Sequence, residues 1–169
     1  MGNSYGSFSA PNFTGTDITS TAATGNYNDS GTGTTAITRT LTTGAKAANS
    51  WRFAQNGAST TVTPVAGTTL SFGVGIITNP EAVAITLQAA DASSSITSAG
   101  SDLYVFTNGN TMTFNVRLTG SMNLINSGSG TLALGTSSTG ASNTYGGTTY
   151  VNAGTLSLTA PAGFITVPG

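Results

Sequence analysis

The sequence predicts an all-β chain wound into a β-solenoid, and three observations carry that prediction. The first is a repeat: Gly130-Thr131-Leu132-Ala133-Leu134 returns as Gly154-Thr155-Leu156-Ser157-Leu158, 24 residues later. Such an interval suits one coil of a stack in which no coil can bury its apolar face alone. A looser copy, Gly67-Thr68-Thr69-Leu70-Ser71-Phe72, lies upstream, and the separation of its Leu70 from Leu132 reads as close to three such intervals. The second observation is a series of short apolar runs of period two, the pattern of strands with one face buried. The third is composition. Of 169 residues 5% are charged and 37% hydrophobic, the remainder being mostly Thr, Ser, Gly and Asn. A net charge of −1, with abundant Val, Ile, Thr and Phe, favours a folded β protein over a disordered one.

Taken in order, residues 1–30 are polar and turn-rich, with Tyr5, Phe8, Phe13 and Tyr27 spaced through them. They are read as an N-terminal arm or cap whose rings pack on the body. The body, residues 31–159, begins to alternate at Ile37, Arg39 and Leu41 and continues at Trp51 and Phe53, both expected in the core. Further alternating runs are Leu70-Phe72-Val74-Ile76, Val83-Ile85-Leu87-Ala89, Leu103-Val105 and Met112-Phe114-Val116-Leu118. Turn chemistry separates them at Asn56-Gly57, Asn79-Pro80, Ala99-Gly100, Asn108-Gly109 and Gly120. Pro80-Glu81 could open a helix over Ala82–Ala92, but the apolar residues there fall on every second position, which predicts a strand. Residues 160–169 form a C-terminal tail in which Phe164, Ile165 and Val167 read as an uncapped apolar strand, a template for another chain. Rungs of about 22 residues would give roughly seven, and at about 4.8 Å per rung a body about 35 Å long.

The stretch from Leu124 to Leu158 also resembles the autotransporter-associated β-strand repeat of bacterial surface proteins. Leu124, Gly128, Gly130, Thr131, Leu132 and Leu134 fall on its first phrase, Asn143, Thr144, Tyr145, Gly147 and Thr148 on its second, and Val151, Asn152, Ala153, Gly154, Thr155 and Leu156 on its third. The match departs at Asn126, where Lys is common, and at Gly135–Ser142, which is longer than the usual link, and it covers about thirty-five residues. The resemblance implies a right-handed parallel β-helix outside the cell, a hand that strand crossovers favour in general. It gives Gly130, Leu132, Leu134, Tyr145, Gly147, Gly154, Leu156 and Leu158 structural roles, with the Tyr145 ring covering a rung edge and its hydroxyl in solvent.

Chemistry is scarce. With no His and no Cys the chain lacks the usual general base, thiol nucleophile, zinc ligands and disulfide staples. The carboxylates are Asp17, Asp29, Glu81, Asp91 and Asp102, and a glycosidase needs two of them about 5 to 10 Å apart. Asp91 and Asp102 each lie by a turn, where Asp ordinarily bonds its own backbone. Gly146-Gly147-Thr148-Thr149 has the glycines of a calcium roll without its Asp, and Gly128-Ser129-Gly130 precedes neither a Lys nor a helix. No enzyme, cofactor or metal is expected. Arg39, Lys46, Arg52 and Arg117 are too few to draw nucleic acid or an anionic membrane. No apolar run is long enough for a membrane helix, and Met1–Gly6 shows neither a signal peptide nor a myristoylation site.

The expected function is therefore architectural: an extracellular or cell-surface solenoid serving as a stalk or as a self-associating fibre subunit. Its partners would be copies of itself, met through Phe164, Ile165 and Val167 or through Phe8 and Phe13 of the arm. The rival expectation is an adhesin whose exposed Tyr and Asn side chains, among them Tyr104, Tyr145 and Tyr150, grip glycans weakly and broadly.

Overall fold

A computed structural model describes residues 17–18, 26–29, 35–41, 46–53, 57, 59–64, 66–78, 83–135, 141–160, 162–164 and 167–168. They form a β-solenoid of fifteen parallel strands with no helix among the described residues. In chain order these are β1 (Asp17–Ile18), β2 (Asn26–Asp29), β3 (Ile37–Leu41), β4 (Lys46–Phe53) and β5 (Thr60–Pro64). There follow β6 (Thr69–Thr78), β7 (Ile85–Gln88), β8 (Ser95–Ser98), β9 (Asp102–Phe106) and β10 (Thr111–Asn115). The series ends with β11 (Arg117–Leu118), β12 (Asn123–Ser127), β13 (Thr131–Leu134), β14 (Thr149–Val151) and β15 (Thr155–Leu158).

One sheet stacks seven strands in the order β1-β3-β5-β7-β10-β13-β15, one from each pass of the chain. The other is built from the strands between them. β4 and β6 run across two faces of it, and later coils break at that corner, so that β6 pairs with β8 through its first half and with β9 through its second. The ladder hydrogen bonds therefore run between coils, along the solenoid axis.

Alternation decides what faces in. In β5, Thr60, Val62 and Pro64 are buried while Thr61 and Thr63 are not, and in β9 Leu103 and Val105 are buried between exposed Tyr104 and Phe106. Register then converts alternation into columns. Val62, Leu87, Phe114, Leu134 and Leu158 stack on one another, as do Thr60, Ile85, Met112, Leu132 and Leu156. From the other sheet Trp51 and Phe53 enter the same core, 1% and 0% exposed as expected, with their rings stacked at 5.2 Å. A fully buried leucine such as Leu132 contributes about 1.5–3 kcal/mol.

The strand reading of 82–92 holds at Ile85–Gln88. The repeat holds in a stronger sense: β13 and β15 are neighbours, and Thr131 pairs with Thr155, Leu132 with Leu156 and Leu134 with Leu158. The looser copy does not hold. Leu70 lies in β6, in the other sheet from Leu132, paired with Lys46 and Ile96. The successive partners Ile37, Thr60, Ile85, Met112, Leu132 and Leu156 are unevenly spaced along the chain, and Leu70 falls between two of them rather than on the column. Its separation from Leu132 therefore corresponds to no whole number of coils.

Candidate interaction surfaces

The motif glycines sit at a corner where coils lie flush. Gly130 N–H donates to Thr107 O at 2.9 Å, Thr131 N–H to Asn110 O at 2.8 Å, and Thr155 N–H to Gly130 O at 3.0 Å. The main chains approach so closely that a Cβ on Gly130 would meet the Asn110 carbonyl, and one on Gly154 the Gly128 and Gly130 carbonyls. Gly147 is likewise pressed against the Met122 carbonyl and the Asn123 side chain. These corners are structural, with the backbone amides consumed by the coil below rather than free to cradle a phosphate.

Tyr145 departs from expectation. Its ring is fully buried and its hydroxyl, instead of meeting solvent, shares a 2.6 Å hydrogen bond with Thr149 Oγ1. The cause is that 144–147 lies directly on the coil beneath, with Thr144 N–H donating to Leu118 O and Gly146 N–H to Gly120 O. Burial raises the phenol pKa above its ordinary value, partly offset by the Thr149 bond. Two asparagines share this role: buried Asn143 accepts from Leu118 N–H at 2.8 Å, and buried Asn126 donates to the Ala153 and Thr155 carbonyls.

The carboxylates whose side chains are described, Asp29, Asp91 and Asp102, are held in separate structural contacts. Asp91 accepts from the hydroxyls and amides of Ser93 and Ser94, and the Ser93 hydroxyl above all holds its pKa below the ordinary 3.8. Asp102 is not turn-bound. It lies in β9, where Oδ1 accepts from Asn123 Nδ2 at 2.7 Å and Oδ2 from the Tyr104 hydroxyl at 3.1 Å. Asn123 Oδ1 in turn accepts from Thr148 N–H, so one polar ladder climbs three coils. Among the described residues no three His, Cys, Asp or Glu come together in a way that could hold a metal ion. A void of about 10 Å³ lies between Val62, Leu70, Leu87, Ile96 and Val116, room for no more than a water.

Sequence reasoning missed a buried ion pair. Arg39 points inward above Val62, where its Nη2 donates to Asp29 Oδ1 at 2.9 Å and its Nε to Oδ2 at 3.2 Å. Asp29 is 0% exposed. Alternation with Ile37 and Leu41 sets Arg39 on the inward register, yet its charge reads as that of a solvated or paired strand end, and nothing in the sequence names Asp29 as its partner.

Two surfaces remain. The first is the C-terminal end of the stack. Val151 continues the inward column of Trp51, Val105 and Asn126 yet is 49% exposed, and Leu158 continues that of Phe114 and Leu134 yet is 53% exposed. Among the described residues no strand pairs with the outer edges of β14 and β15. Of the tail residues expected in a strand, the two described lie outside any strand: Phe164 is 38% exposed, and Val167 packs against the core. Ile165, Phe8 and Phe13 lie outside the described residues. The second surface is the outer face of β9, β12 and β14, where register aligns Tyr104, Ile125 and Tyr150.

Comparison of the chain with protein-family models, curated proteins and solved structures found no match. No helix among the described residues is long and apolar enough to cross a membrane.

Proposed function

We propose that this chain is a structural, non-catalytic segment of a secreted bacterial surface protein, a β-solenoid whose C-terminal face accepts a further coil. In a stalk that coil is the next one of a longer chain. In an extracellular fibre it belongs to a second copy, and copies stack end to end. The observation that carries this reading is the pair Val151 and Leu158, inward-facing positions left about half exposed where the same columns are fully buried one coil earlier, at Asn126 and Leu134. Beside them the amides and carbonyls of β14 and β15 offer a parallel strand edge. Covering both half-exposed side chains would return about 1 kcal/mol each, and a net charge of −1 sets little repulsion against it. The resemblance of residues 124–158 to the autotransporter-associated repeat supports the bacterial surface as the location.

Analytical ultracentrifugation over rising concentration, followed by electron microscopy, tests it. The unmodified chain is expected to form end-to-end oligomers, and the Val151→Lys/Leu158→Lys variant to remain monomeric with unchanged circular dichroism. Monodisperse monomers from both chains at the highest concentration would contradict the fibre reading.

A further inference from the structure

We infer that the outer face of β9, β12 and β14 is a binding platform for an extended, uncharged β-linked polysaccharide, lying across the strands and along the solenoid axis. The inference does not depend on end-to-end stacking.

The platform is assembled by register. Ile125 pairs with Tyr104 on one side and Tyr150 on the other, although the two tyrosines are far apart in the chain. Tyr104 and Tyr150 are 48% and 47% exposed, while Ile125, outward-facing between them, is only 8% exposed. Ile125 thus fills the position between the two rings, and the column reads as a shelf rather than two separate rings. Phe106, 41% exposed, widens the shelf further along β9. This face accounts for three of the six large hydrophobic side chains exposed among the described residues, and unlike Val151 and Leu158 these three point outward from the middle of a sheet face or its last strand.

Chemistry selects the ligand. An aromatic face flanked by hydrogen-bonding groups suits a pyranose, whose ring presents C–H groups on its faces and hydroxyls at its rim. Here the flanking groups are the Asp102 carboxylate and the Asn123 amide, on the same two strands as Tyr104 and Ile125. They are held in place beforehand. The Tyr104 hydroxyl bonds Asp102 at 3.1 Å, which lays the ring along its strand, and Asn123 Nδ2 fixes the other carboxylate oxygen at 2.7 Å. That reduces the ordering cost of binding. No cation lies among these residues and Asp102 is itself acidic, so an anionic glycan finds no countercharge.

Spacing selects the shape. Two strand steps separate the tyrosines, about 10 Å along the axis. An extended β-1,4-linked chain brings equivalent faces of alternate sugars to a similar repeat, whereas an α-1,4-linked chain curves away. Rings exposed on separate strands favour a long chain held at several points over a single sugar.

Isothermal titration of the whole chain with cellohexaose and with chitohexaose tests the inference, with maltohexaose as the curved control. At least one of the two extended oligosaccharides is expected to bind saturably, with a dissociation constant below roughly 1 mM. Tyr104→Ala and Tyr150→Ala should each weaken it about fivefold or more and together abolish it, because each removes one ring of the pair. If the double variant does not fold, Tyr150→Ala alone decides. No saturable binding of either extended probe, equal binding of maltohexaose, or binding indifferent to the tyrosines would overturn the inference. So would the finding that the tyrosine variants alter only sedimentation, which would make the shelf a side-by-side contact between copies.

Discussion

Replacing Asp29 by Ala is expected to destabilise the solenoid by about 3–5 kcal/mol, one of the two largest single-residue effects expected in this chain. The substitution removes the two carboxylate oxygens that accept from a buried guanidinium, and leaves Arg39 in the core column above Val62 without that countercharge. Taking the countercharge away from a buried cation costs more than the intact pair contributes. The double variant Asp29→Leu/Arg39→Met, apolar at both positions, should therefore recover most or all of the loss. Urea unfolding followed by circular dichroism measures both, and for a chain of this size the single substitution should lower Tm by roughly 10 °C. Equal destabilisation by the single and double variants would mean that the pair acts by packing rather than by charge.

The second large effect is expected at Gly128. Its φ is +93°, and a Cβ there would also strike the Thr107 backbone. Gly128→Ala combines two costs, a left-handed backbone at about 1–2 kcal/mol and displacement of a coil whose carbonyl has no freedom to retreat, together about 3 kcal/mol or more. Two neighbours separate the costs. Gly109, with φ +73° and nothing within 4 Å of its would-be Cβ, carries the backbone term alone, and Gly130, for which no positive φ is found, carries the collision alone. The order of destabilisation measured by chemical unfolding should be Gly128→Ala greatest, with Gly109→Ala at about 1 kcal/mol. A Gly109→Ala variant as damaged as Gly128→Ala would show that close stacking of the corners is not what demands glycine.

The fold was legible because two independent signals agree on it. Period-two alternation at Leu103-Val105 and Met112-Phe114 names the inward residues without reference to any other strand, and the return of Gly130-Thr131-Leu132 as Gly154-Thr155-Leu156 names the partner coil. Where only one signal was present, the reading slipped. Leu70 resembles Leu132 in its flanking residues, but successive coils differ in length, so distance along the chain does not identify the sheet. The Tyr145 hydroxyl could not be placed because its partner, Thr149, belongs to the same coil and is brought to it only when 144–147 lies down on 118–122. The surfaces were less legible still. Tyr104 and Tyr150 become neighbours only once the pairing of β12 with β9 on one side and with β14 on the other is known. Asp29 and Arg39 look like ordinary solvated charges until register turns both inward. A pattern in one strand announces burial, whereas a site drawn from several coils is announced by nothing shorter than the full register.

That register is open to a direct chemical measurement, because the chain contains no Cys of its own. In the Thr131→Cys/Thr155→Cys variant the two Cα positions are paired across adjacent parallel strands, at about 4.8 Å, within the range that a disulfide spans. In Thr131→Cys/Ser157→Cys the second thiol is moved further along the same strand, to about 8 Å, beyond that range. Mild oxidation of the dilute monomer, read by intact mass and non-reducing electrophoresis, should close the first pair intramolecularly and leave the second as thiols. Faster closure of the second pair, or failure of both, would contradict the stacking of one repeat copy directly on the other.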